Sequence, residues 1–200
     1  MDVLFDFAPL LSLIIGYALG SIPFGLLLTK VTGHKDIRTT GSGNIGASNV
    51  LRTSNKFLAL LTLLLDGGKG GLAVWLCLSL GFSPLAAMAG AVLGHVFPLW
   101  LSFKGGKGVA TYIGCLVFFH WPIGLLAFAT WVFFLIVTKY ASVASLVAVA
   151  LSPLYLYLFG ESATAVFVSV VLSAIVFFRH SQNILRLRSK QEPKICQSKA

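Results

Sequence analysis

Long apolar runs alternate along the chain with short segments rich in lysine, arginine and glycine. The runs cover residues 9–29, 57–80, 85–102, 109–138, 142–159 and 162–178. A helix that crosses a bilayer needs about 20 mostly apolar residues, so each run but the fourth predicts one crossing. The fourth lies between two basic ends that belong on one side of the membrane, and His120, Trp121 and Pro122 mark a hairpin turn that divides it into two short helices. The pattern predicts an all-α, polytopic transmembrane bundle of about seven helices, forming a single domain over residues 1–200. Two interruptions stand out. Pro23 predicts a kink in the first helix, and Asp66, Gly67, Gly68, Lys69 and Gly70 predict a break in the second that faces the bundle interior or a polar cavity.

Composition agrees with a bilayer protein: 57% of residues are hydrophobic and 10% charged, with a mean hydropathy of +0.90. Too little polar surface remains to cover a soluble core. Asp2 and Asp6 stand where a cleavable signal would be basic, and the first run is too long for one, so it is expected to be a retained helix.

The formal net charge of +9 does not point to nucleic acid, because the cations sit in short loops between apolar runs. That distribution is the positive-inside signature. Fourteen of the fifteen basic residues fall in loops on one side, and the opposite side carries Asp2, Asp6 and Glu161. The expected orientation has the N-terminus outside and the C-terminus cytoplasmic. Cys77, Cys115 and Cys196 are widely spaced, and His34, His95, His120 and His180 form no ligating pattern, so neither a disulfide framework nor a metal site is predicted.

Three polar segments on the basic side carry candidate chemistry. Gly41, Ser42, Gly43, Asn44, Gly46 and Asn49 precede a helix start and Arg52; glycines beside hydroxyl and amide groups suit an anion nest, or a flexible loop before a capped helix. Lys104, Gly105, Gly106, Lys107 and Gly108 place two ammonium groups among three glycines, which suits a phosphate or an anchor to anionic lipid. At the end of the last run, His180 and Asn183 are spaced to share one helical face and address one ligand. Lys69 reads either as half of a structural ion pair with Asp66 or as a substrate contact.

SIPFG, GSGNIGASNVLR, DGGKG, GHVFPLWLSFKGGKGVAT, KYASVAS and RHSQNILRLR, in this order over nearly the whole chain, resemble the bacterial acyl-phosphate:glycerol-3-phosphate acyltransferase (PlsY) family. The resemblance implies a bacterial inner-membrane enzyme of phospholipid biosynthesis with its site at the cytoplasmic face. It would move a fatty acyl group from acyl phosphate to the 1-hydroxyl of sn-glycerol 3-phosphate, giving lysophosphatidate and inorganic phosphate. No cofactor is implied, and neither acyl-CoA nor acyl carrier protein would be the direct donor. Family functional positions carry onto Ser42, Arg52, Lys107 with its glycines, His180 and Asn183. Two departures are Ser48, where the family usually has threonine, and Lys190, where a glycine usually follows the third motif.

The residues accommodate this reaction. Both substrates bear phosphates and one a long alkyl chain, so membrane lipid and two anion sites belong to the picture. Arg52 offers a planar fork for one phosphate, and Lys107 with the glycine N–H groups suits the other, offsetting charge on the leaving phosphate. The hydroxyl proton goes either to His180 or to a substrate phosphate, in which case His180 only orients. Ser42 reads as a hydrogen-bond donor, having no neighbouring base to activate it as a nucleophile. Two rival classes are an anion transporter, disfavoured because the polar residues gather on one face, and a membrane scaffold, which leaves the three motifs unexplained.

Overall fold

The computed structural model describes residues 7–53 and 55–195 and, among them, only helices and their connections. Asp2, Asp6 and Cys196 lie outside the described residues. The chain divides into two compact units, residues 1–124 and 125–200, with the boundary just inside one helix. The helices are α1 (Ala8–Gly20), α2 (Phe24–Val31), α3 (Ala47–Thr53), α4 (Lys56–Ser79), α5 (Pro84–Val96), α6 (Val109–Phe119), α7 (Trp121–Thr138), α8 (Ala141–Leu158), α9 (Ala163–Arg179) and α10 (Ser181–Arg188).

Helix starts follow local chemistry. The Asn55 side chain accepts the Phe57 N–H at 2.7 Å before α4, and the Ser162 hydroxyl accepts the Ala165 N–H at 3.2 Å before α9. Ser83 caps α5, with Pro84 in its first turn. Each cap satisfies an N–H that the helix cannot pair internally.

In the first unit, α1 and α5 lie against each other through two pairs of glycines. A Cβ at Gly16 or Gly20 would meet the carbonyls of Ala87 and Ala91, and one at Gly90 or Gly94 would meet those of Leu13 and Tyr17. Lipid chains are as apolar as leucine, so helices in a bilayer associate through such close backbone packing.

Pro23 does break the first span: α1 ends at Gly20 and α2 begins at Phe24. The carbonyls left at this break find side-chain donors, Ser21 O from the Trp100 indole at 2.9 Å and Ile22 O from Lys69 Nζ at 2.6 Å. In hydrocarbon an unsatisfied carbonyl would cost several kcal/mol, so these contacts, with the Phe24 N–H that also donates to Ile22 O at 3.1 Å, make the break tolerable.

The expected break at residues 66–70 is absent: α4 is continuous over its 24 residues. Its glycines serve packing instead. A Cβ at Gly70 would meet Thr111 and Cys115, one at Gly71 would meet Phe118, and one at Gly114 would meet the Gly67 backbone. The helix keeps its hydrogen bonds because no water competes for them at this depth, and α6 fills the space the missing side chains leave.

In the second unit, polar groups link the helices. Ser173 donates to Val149 O at 2.9 Å, the Trp131 indole donates to the Ser145 hydroxyl at 3.2 Å, and Thr130 and Tyr155 pair at 2.8 Å. Such contacts inside a membrane contribute about 0.6–2 kcal/mol each.

Among the described residues, five spans are long and apolar enough to cross a membrane, and a sixth results if α9 and α10, bent by 59°, count as one. The α1–α2 pair is one of the five. The 11 residues of α6 extend only about 16 Å, short of a ~30 Å hydrocarbon core. Among the described residues, helical segments occupy the seven expected apolar stretches, but α6 is too short to cross unaided.

Candidate active site

Two polar loops lie in the first unit. The first connects α2 to α3. Asp36 opens its 3-10 turn by accepting the Arg38 N–H at 2.9 Å and gripping the same guanidinium through both carboxylate oxygens. That side-chain pairing, followed by the backbone bond, pulls the Asp36 carboxyl down to about 2. Arg38 is thereby engaged locally. Ile37, Ile45 and Val50 are buried with Leu58 and Ala59, which fastens the loop to α4.

Asn49, 1% exposed, organises the loop from inside. Its amide NH₂ reaches Ile37 O, Thr40 O and Asn44 O at 3.0, 3.0 and 2.9 Å, and its Oδ1 accepts the Ser42 N–H at 2.9 Å. Gly41 and Gly43 adopt φ of +59° and +70°, the left-handed conformation that lets the chain circle this amide. The expected nest of outward N–H groups is therefore not formed at Ser42 and Gly43. Their N–H groups bind Asn49 and Thr40 O, while the Ser42 side chain remains exposed. Asn44 and Gly46 are half-buried, as is Arg52 in the last turn of α3.

The second loop, residues 104–108, folds back on the C-terminal end of α5. Gly105 N–H donates to Val96 O at 3.2 Å and Gly106 N–H to His95 O at 3.0 Å. These bonds satisfy carbonyls that a helix end leaves unpaired, so these two N–H groups do not face a ligand as expected. The next residues carry donors instead. Gly108, at φ +87°, turns the chain into α6, whose N-terminus has no side-chain cap. The first-turn N–H groups of α6 thus stand beside Lys107, with the positive end of the helix dipole. Lys107 is half-buried and Lys104 exposed.

Both loops rest on α4. A Cβ at Gly25 would meet both Ile45 O and the Thr62 side chain, while His95, beneath the second loop, lies 3.7 Å from Asp66. Thr62 and Asp66 are one helical turn apart, about 6 Å along the axis. Lys69 belongs to the wall behind them. Its ammonium, in a side chain 3% exposed, pairs with Asp66 at 2.7 Å and stands 5.7 Å from the Phe24 ring centroid.

The second unit carries the third motif at the bend between α9 and α10. His180, 2% exposed, is the cap residue of α10, and its Nδ1 lies 2.8 Å from Val176 O. A carbonyl only accepts, so Nδ1 carries a proton, which makes Nε2 the acceptor nitrogen whenever the ring is neutral. Asn183, on the first turn of α10, donates to Glu192 Oε1 at 2.7 Å. Glu192 Oε2 accepts from Arg186 Nε, also at 2.7 Å. Burial pushes the Glu192 carboxyl up, but the Asn183 and Arg186 hydrogen bonds outweigh it and the net direction is down.

Sequence reasoning missed Glu192. The available signal was its position as the lone acid among Arg186, Arg188, Lys190 and Lys194. It reaches Asn183 because α10 ends in a tight reversal, with Gln191 N–H bonded to Arg186 O and Lys190 N–H to Leu187 O. That reversal puts Lys190 at φ +57°, so the departure from glycine falls where a left-handed backbone disfavours a side chain. Lys190→Gly is expected to stabilise the protein by about 1 kcal/mol, read as a small rise in the thermal unfolding midpoint in detergent. A fall would show that the lysine side chain contributes more than the strain it carries.

The family model described as glycerol-3-phosphate acyltransferase matches residues 10–190. Curated relatives bearing that description include one from Jannaschia sp. (strain CCS1), 50% identical over 187 residues and covering 92% of each chain. Another, from Paramagnetospirillum magneticum, is 51% identical over 183 residues, 90% of each. Among solved structures, the crystal structure of PlsY, described as an integral membrane glycerol 3-phosphate acyltransferase, matches in its glycerol 3-phosphate form with a TM-score of 0.88 at 34% identity, covering 93% of this chain and 94% of that one. Its lysophosphatidic acid form matches with a TM-score of 0.86 at 33% identity over the same shares.

Proposed function

This chain belongs to the glycerol-3-phosphate acyltransferase family, and from that premise we propose that its acyl donor is an acyl phosphate. The 1-hydroxyl of sn-glycerol 3-phosphate attacks the donor carbonyl, the acyl–phosphate bond breaks, and lysophosphatidate and inorganic phosphate leave. Acyl-CoA and acyl carrier protein are not direct donors. An acyl phosphate is already activated, so the enzyme has chiefly to place the hydroxyl and offset charge. The observation that carries the reading is the second loop: the N–H groups of Gly105 and Gly106 are tied to α5, and Lys107 directly precedes the turn into the uncapped first turn of α6, which supports an anion site there.

In this account Lys107, with Gly108 shaping the turn, offsets the charge that grows on the leaving phosphate, and Lys104 adds to the local positive field. Arg52 holds the other phosphate, with Ser42 as a hydrogen-bond donor and Gly41, Gly43, Asn44, Gly46 and Asn49 giving that loop its form. Gly105 and Gly106 act through the loop's shape. Lys69 is assigned to the supporting wall through its pair with Asp66. His180 accepts the hydroxyl proton at Nε2, the atom its bond to Val176 leaves as the acceptor, and Asn183 orients the acceptor substrate. Positive-inside charge supports an inner membrane location, with these loops and the C-terminus on the cytoplasmic side.

Purified protein in lipid is expected to form lysophosphatidate from glycerol 3-phosphate and palmitoyl phosphate, and none when palmitoyl-CoA replaces the donor. Equal rates with the thioester would reject the donor assignment. His180→Gln is expected to lower kcat about 100-fold or more, the usual contribution of a positioned base. Substantial turnover with unchanged KM values would leave the proton to a substrate phosphate.

A further inference from the structure

The polar cluster at the middle of α4 has no reacting role in the account above, yet it touches the second loop. Asp66 Oδ1 lies 2.7 Å from Lys69 Nζ and 3.7 Å from His95 Nδ1, and all three side chains are buried. On its other side the His95 ring faces Gly106: the three atoms nearest to a Cβ built there are all imidazole atoms. Gly106 is not among the residues with positive φ, so its backbone would accept any L residue and the ring is what excludes a side chain. Gly105 differs, because a Cβ there would meet the backbone carbonyls of His95 and Val96.

We propose that His95 is a positioning residue for substrate phosphate: its ring, wedged between Asp66 and Gly106, sets the height at which Lys107 and the first turn of α6 are presented. The proposal rests on the reading of this loop as a phosphate site. The backbone bonds from Gly105 and Gly106 fix where the loop attaches to α5. The ring beneath Gly106 fills the space on its inner side. Without it the loop can sink toward α4, drawing Lys107 away from the anion while every reacting group is retained. A displacement of this kind weakens the hold on a substrate more than it changes the chemical step.

The test is kinetic and uses the full chain in lipid. His95→Ala is expected to raise KM for one of the two phosphorylated substrates about tenfold, with kcat within about threefold of the parent. Gly106→Ala alone is expected to lose activity by collision with the ring, and the double variant His95→Ala/Gly106→Ala to recover toward the His95→Ala level, because the new methyl group enters the space vacated. His95→Ala/Gly105→Ala is expected to show no recovery, since backbone carbonyls block that site. Unchanged KM values in His95→Ala, or a double variant no better than Gly106→Ala, would overturn the proposal. Should His95→Ala fail to fold, His95→Gln replaces it in both arms, since its flexible end can yield to a methyl group at 106. Inorganic phosphate binding, measured in parallel, separates this proposal from the reading beneath it. If the parent transfers no acyl group but His95→Ala still weakens phosphate binding about tenfold, the phosphate reading and the His95 proposal survive and the reaction assignment falls; no phosphate binding by the parent removes both.

Discussion

Lys107→Ala is expected to lower kcat by two to three orders of magnitude while leaving the protein folded. Lys107 is the charged residue next in sequence to the uncapped start of α6, and one preorganised donor at a site of developing charge contributes about 10²–10³ in rate. The fold does not depend on it, because the loop is attached through the N–H groups of Gly105 and Gly106. Lys104→Ala serves as the contrast. That side chain is exposed, where screening makes a charge worth much less, and a loss below about tenfold is expected. Steady-state rates at saturating concentrations of both substrates measure the difference. Equal losses in the two variants would mean that the loop supplies only diffuse positive potential.

Asp66→Asn is expected to destabilise the protein by about 3–5 kcal/mol, the usual cost of stranding one member of a buried ion pair. The pair occupies the centre of α4, with ten helix residues before Asp66 and ten after Lys69. Lys69 would keep its bond to Ile22 O but lose its counter-charge. The double variant Asp66→Leu/Lys69→Met removes both charges, so it is expected to cost less than Asp66→Asn even though Ile22 O then keeps only the Phe24 N–H. Thermal unfolding midpoints in one detergent provide the comparison, at about 2–4 °C per kcal/mol for a chain of this size. A double variant less stable than the single one would show that holding the α1–α2 break matters more than neutralising the charge.

The apolar runs made the helices legible because the bilayer leaves the chain few alternatives. They could not reveal that Gly67, Gly70 and Gly71 form a packing seam, since a glycine that breaks a helix and one that admits a neighbouring helix look alike until α6 is in place. The motifs that carry the family resemblance located both first-unit loops and the third segment. What stayed hidden was the direction of their backbone groups. Glycine-rich composition suggested N–H groups open to an anion, but Ser42 N–H is taken by Asn49 and Gly106 N–H by His95 O. Those partners lie seven and eleven residues away in sequence, beyond the reach of local pattern. Glu192 was hidden for a similar reason, since only the reversal after α10 returns it to Asn183.

The central claim, that acyl phosphate is the donor and glycerol 3-phosphate the acceptor, is tested most directly by stoichiometry. Purified protein in lipid receives a long-chain acyl phosphate with and without glycerol 3-phosphate, and released phosphate and lysophosphatidate are both quantified. The account predicts release that depends on glycerol 3-phosphate and equals the lysophosphatidate formed, mole for mole. Phosphate release at the same rate without the acceptor, or none from folded protein with both substrates present, would contradict it.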